Sequence, residues 1–443
     1  MRIDRVTGAT LALLLTFSSA VSAEDSDIEL LRSAIDELRT DYDARIADLE
    51  RRLAVAEQNA MQASYTVPEQ PSASGSGASA FNPAIGVIFS GNAWTYAHDP
   101  ESYFVQGFPY GGEAGPIAEG LSLGETEIVM SANVDDKFSA WMTASLAIED
   151  GEAVVGVEEA WVEANALPGG LGAKFGRFFS GIGYLNGKHA HAWDFADQPL
   201  PYQAFLAGQL GDDGIQIRWL APTDVYLELG AEAMRGGSYP AAGAAHRGFG
   251  AYSLFANLGG DVGTSSSWLA GISYLDASAV DRPSGDVDDA FLFTGDSDLM
   301  IAQVVWKWSE NGNWKDRNLV VQAEYLQRTE DGVYSGSILS PGVYKVDQSG
   351  WYAQAVYQPF PRWRIGGRVD TVSSDNPGSA FDGTRLASPI DDPRRFSLMA
   401  DWANSEFSRL RLQITRDEAG PVDDNQWGIQ YFHSIGAHGA HTF

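Results

Sequence analysis

From Phe81 to the C-terminus the chain alternates apolar and polar residues, segment after segment. After its first few dozen residues it never reaches the ~18 consecutive apolar positions of a membrane helix. Alternation of period two places one residue set on each face of a strand, so a chain built this way that meets a membrane does so as strands. In the last segment Trp427, Ile429, Tyr431, Ile435, Ala437 and Phe443 share one parity, and Gln426, Gln430, Ser434, His438 and Thr442 take the other. A strand of roughly 17 residues is long for a soluble sheet, but suits a tilted membrane strand that needs about 10 residues in hydrocarbon.

About sixteen such segments follow Phe81, and their connections alternate between short and long. The short ones lie at 134–136, 167–170, 221–224, 259–265, 310–313, 359–361 and 403–405. Between them come the excursions 98–120, 180–212, 235–247, 276–296, 330–348 and 373–393, with brief connections near Asp150–Gly151 and 418–424. This is the pattern of an up-and-down antiparallel transmembrane β-barrel, all-β, with periplasmic turns and external loops. Parity divides the strands accordingly. Phe138, Ala140, Met142, Ala144, Leu146 and Ile148 oppose Ser139, Trp141, Thr143 and Ser145, and Leu319, Val321, Ala323 and Tyr325 oppose Gln322, Glu324 and Arg328. The same reading sends Arg364, Arg368, Asp370, Arg395, Asp401, Arg409 and Arg411 to the interior, because each charge facing lipid costs about 2–4 kcal/mol near the midplane. Such an interior is polar and is expected to be wet.

The N-terminus reads as a signal peptide over 1–23: Arg2 and Arg5, an apolar core from Leu11 to Phe17, and Val21-Ser22-Ala23 before an acidic stretch. Residues 24–62 form a charged helix with a seam at Ile28, Leu31, Ile35, Leu38, Tyr42, Ile46, Leu49, Leu53 and Ala56, which implies a self-associating coiled coil. A Pro/Gly/Ser linker at 63–80 separates it from the barrel domain, 81–443.

Composition removes other classes. With 59 acidic against 29 basic residues, a net charge of -30, the chain has no basic face for nucleic acid. Without cysteine it has neither disulfides nor a thiolate site. No nucleophile arrangement, phosphate-cradling loop or HExxH motif falls in a suitable context, so the chain is not read as an enzyme.

The closing strand ending at Phe443, the seam at 28–56, Glu159-Ala160-Trp161-Val162-Glu163 with Leu167-Pro168-Gly169-Gly170 after it, and Gly176-Arg177-Phe178 resemble Gram-negative outer-membrane porins of the phosphate-selective porin O/P type. More locally, Gly176–Asn186, His189–Phe195, Pro199–Leu206, Asp212–Gln216, Trp219–Asp224 and Gly436–His441 resemble the group labelled zinc-regulated outer-membrane receptors or porins. The resemblance implies a sixteen-stranded homotrimeric barrel in the bacterial outer membrane, among lipid and lipopolysaccharide, with the helix in the periplasm. It also implies that 180–212 folds into the lumen as a constriction, offering His189, His191, Trp193, Asp194, Asp197 and Tyr202.

His189 and His191, two apart, point the same way on an extended segment, and with Asp194 or Asp197 would give N and O ligands for transient Zn2+; the same side chains could equally pin the loop to the wall. Arg218, Arg328, Arg364, Arg368, Arg395, Arg409 and Arg411 facing Glu159, Glu163, Glu324, Asp370 and Asp401 form either a transverse field that orients solutes or a set of neutralised pairs. Three functions stay open: a passive porin for small hydrophilic solutes without a resident cofactor, a channel or receptor for zinc and similar metals, and an envelope tether with the barrel as anchor.

Overall fold

A computed structural model describes residues 83–108, 114–149, 152–165, 167–241, 248–284, 291–336 and 342–436. The expected signal peptide, coiled coil and linker, and the strand end at Phe443, lie outside these residues.

Strands β1 (Ala84–Thr95), β2 (Gly120–Leu123), β3 (Thr126–Asn133), β4 (Phe138–Glu149), β5 (Glu152–Ala164), β6 (Leu171–Phe179), β7 (Gly211–Leu220), β8 (Tyr226–Met234) and β9 (Ala251–Val262) make the first half of the wall. The second half comprises β10 (Ser266–Ser284), β11 (Phe291–Ser309), β12 (Asn318–Gly336), β13 (Gly342–Phe360), β14 (Trp363–Ser374), β15 (Arg394–Ser405), β16 (Ser408–Asp417) and β17 (Asp424–Gly436). Both β2 and β3 pair with β1, so together they form one stave, and β1 also pairs with β17. The 17 segments therefore close into a barrel of sixteen antiparallel staves without an edge, the arrangement that satisfies every ladder in lipid. At the break within the shared stave only glycine fits, since a Cβ on Gly124 would come within 2.2 Å of Ser90 Oγ.

The parity read from the sequence holds. Val321 and Tyr325 face outward while Glu324 between them is buried, and in β17 Trp427, Ile429, Tyr431 and Ile435 are exposed while Gln430 is not. At the end carrying the short turns, Trp219, Tyr226, Trp306, Trp363 and Trp402 face outward together, as an aromatic girdle does at a membrane interface. No helix among the described residues is long and apolar enough to cross a membrane.

Two expected loops are strands. β10 to β13 are each 19 residues long, so most of 276–296 and 330–348 continues the ladders as tall hairpins. Their outward face is acidic, with Asp276 opposite Asp298, and such polar alternation reads as loop in a sequence. Their inward face is held by Phe291, Phe293, Tyr334, Tyr344 and Phe381, packed edge to face, and by buried Arg282, which pairs with Glu330 at 2.7 Å.

Candidate functional site

The connection from β6 to β7 runs inside the barrel and is bound along most of its length to lumen-facing side chains. Its start is docked on two buried carboxylates. Glu232 accepts from Gly181 N at 2.8 Å and from the hydroxyls of Ser180 and Ser253, and Glu324 accepts from Tyr184 N at 2.9 Å, Leu185 N at 3.1 Å and Tyr202 Oη at 2.9 Å. Gly183 lies between these anchors with φ +64, where a Cβ would meet Tyr202 Oη at 2.3 Å, so only glycine passes there. Asn186 ties the two ends of the excursion together, donating to Ser180 O at 2.8 Å and accepting from Leu210 N at 2.8 Å.

The loop next crosses to the β3–β5 side. His189 Nδ1 is 2.7 Å from Glu158 Oε2 and 3.7 Å from Glu127 Oε2, its Nε2 is 3.0 Å from Glu159 Oε2, and His191 Nδ1 is 2.7 Å from Glu127 Oε1. The two imidazoles are stacked with centroids 5.8 Å apart. Adjacent residues of a regular strand point to opposite faces, yet Glu158 and Glu159 both reach His189. The cause is a β-bulge: Thr143 pairs with Glu159 and Ala144 with Val157, leaving Glu158 as the extra residue. Burial disfavours the charged His189 ring, but its hydrogen bonds to Glu158 and Glu159 and the charge of Glu127 outweigh it and hold the pKa well above the ordinary imidazole value. Lys174, lying 4.4 Å over the Trp161 ring, adds positive charge beside Glu159.

The loop then meets the opposite charge on β14–β16. Asp194 Oδ1 accepts from Arg364 Nη1 at 2.8 Å, and Asp197 Oδ2 lies 3.0 Å from Arg368 and 2.8 Å from Arg395. Burial pushes the Asp197 carboxyl up, but Arg368 and Arg395 together hold it below the ordinary range. Arg411 pairs with Asp401 at 2.9 Å and donates to Trp193 O at 2.7 Å, while Arg409 donates to His191 O at 2.6 Å. A short helix, α1 (Leu200–Leu206), is wholly buried. Its Leu200 N donates to Asp370 at 3.0 Å, and Arg328 donates to Ala204 O at 3.2 Å.

Several expectations need correction. Asp194 and Asp197 are not partners of His189 and His191: they answer the arginines of β14–β16, and the histidines face Glu127, Glu158 and Glu159. The interior arginines do face inward, and Arg328, Arg368, Arg395 and Arg411 are buried in ion pairs or hydrogen bonds. Tyr202, on α1 within the loop, is buried with its hydroxyl on Glu324, and Arg218 stands apart with Glu163 and Glu228. Glu127 and Glu158 were missed altogether. The signal for Glu158 was the doublet that interrupts the alternation of Val154-Val155-Gly156-Val157-Glu158-Glu159-Ala160-Trp161. A cavity of about 490 Å³ opens beside this cluster, bounded by Glu125, Glu158, Trp193, Gln209 and Tyr239 among others.

No protein-family model matches the chain. An uncharacterized protein of Aquifex aeolicus (strain VF5) is 32% identical over 355 residues, covering 75% of this chain and 72% of its own length. Among solved structures, a loop-deletion form of OmpT, an outer membrane protein of Vibrio cholerae, aligns with TM-score 0.51 at 10% identity over 81% of this chain and 100% of its own. The outer membrane channel DcaP of Acinetobacter baumannii aligns with TM-score 0.48 at 14% identity, over 80% of this chain and 97% of its own. At these identities the likeness to the solved structures is one of fold.

Proposed function

Because the chain belongs to one family with the uncharacterized Aquifex aeolicus protein and closes a sixteen-stave barrel of the porin kind, we propose that it is an outer-membrane channel, non-enzymatic, for small hydrophilic solutes. The observation that carries this reading is the 180–212 loop held inside the barrel by charged groups on several staves, a natural constriction for a passive pore. The outward apolar face and the aromatic girdle at the turn end support membrane residence, with lipid and lipopolysaccharide around the wall. The seam at 28–56 supports a homotrimer with a periplasmic stalk, as the resemblance to porins implies.

The test is single-channel conductance of the purified protein in a planar bilayer, with reversal potential under a salt gradient. Current steps in threes with modest ion preference are the expected result. Folded protein that inserts yet passes no current would transfer the role to an envelope anchor, for which deletion of 24–62 should then weaken the envelope.

A further inference from the structure

We propose that Glu127, Glu158, His189 and His191 form a binding site for a borderline divalent metal ion of the zinc type, joining the loop to the β3–β5 wall. The donors come from three separate elements, and one ligand atom each from Glu127, Glu158 and His189 lie within 4.8 Å of one another. The His189 Nδ1 separations of 2.7 and 3.7 Å from Glu158 and Glu127 bracket the roughly 3.3 Å between two donors of a tetrahedral ion with bonds of about 2.0–2.1 Å. His191 Nδ1, at 2.7 Å from the other oxygen of Glu127, brings a second nitrogen to the edge of the set.

Two imidazoles and two carboxylates suit zinc, cobalt or nickel, whereas calcium and magnesium want shells of six or more oxygens. The remaining nitrogen of His189 is placed as metal-bound histidines require, 3.0 Å from the Glu159 carboxylate, which orients the ring and raises its basicity. Glu158 is available only because the bulge turns it inward, and bulges recur where a side chain must be re-aimed beside a functional site. The adjoining cavity gives the ion a route in. The site stands whether or not the barrel conducts.

The experiment uses the full-length protein, folded in detergent and stripped with chelator, titrated with Zn2+ in competition with a fluorescent zinc indicator and with Co2+ read by visible absorption. One zinc per chain should bind, undisturbed by excess Ca2+ or Mg2+, and bound Co2+ should show a tetrahedral spectrum. His189→Ala and Glu158→Gln should each weaken binding at least tenfold, and Glu159→Gln about tenfold or more. His433→Ala, on the outer face of β17 beside the exposed Tyr431, should change nothing. Glu158→Gln is nearly isosteric and decides the matter if His189→Ala does not fold. Zinc binding absent from the folded protein, or surviving both variants, overturns the proposal. A protein that conducts but binds no zinc leaves the channel reading intact, and one that binds zinc without conducting does the reverse.

Discussion

Asp401 is the residue on which the basic wall depends. It is buried, 2.9 Å from Arg411, 3.9 Å from Arg409 and directly paired with Arg364. Asp401→Asn therefore strands buried positive charge, at a cost of about 3–5 kcal/mol. We expect a lowered temperature for loss of the folded, heat-modifiable gel band, together with a reversal potential displaced toward anions. Lys188 makes a pH-dependent contribution. Burial pulls it down to about 8, helped by neighbouring Lys307 and opposed by Asp194 and Glu324. Its charge falls from about nine-tenths at pH 7 to about one-tenth at pH 9. Since this value lies below that of a free lysine, about 10.4, the protonated form opposes folding, and stability gains as pH rises from 8 toward 10.4. Reversal potentials should move toward cations between pH 7 and 9, and the part due to this group should vanish in Lys188→Met.

At the scale of the element, the bulge in β5 has the clearest consequence. Val157 points out and Glu159 points in, so removing Glu158 restores continuous alternation without turning either half of the strand over. A deletion variant should therefore fold and insert in normal yield while the loop loses one hold on His189; larger open-channel current noise is the expected result, checked against the parent protein in the same bilayer. Strand parity and the short turns were legible in sequence because lipid outside and polar groups inside impose period two on each stave. The tall hairpins of β10–β13 were not, because above the membrane an acidic outer face such as Asp276 and Asp298 looks like loop. The partners of His189 and His191 were hidden for another reason. Glu127 and Glu158 lie 62 and 31 positions before His189 in the chain, and only the side-by-side pairing of β3 to β6 and the inward course of the loop bring them to it.

For the whole molecule, the outward band sets a test of membrane residence. Ile272 is 66% exposed on the outer face and pairs with Ala256 and Ala302. Ile272→Arg should cost about 2–4 kcal/mol in denaturant unfolding from lipid vesicles, while Asp298→Arg, outward but on the tall hairpin, should cost close to nothing. The loop also has a mechanical meaning. A sixteen-stave cylinder deforms most softly by flattening into an ellipse, and here a strut spans it from β12 to the β3–β5 wall and back to β14–β16. Squeezing the cylinder along that diameter would have to break buried ion pairs, so its cross-section is braced against lateral pressure, and its aperture should stay constant as bilayer tension changes.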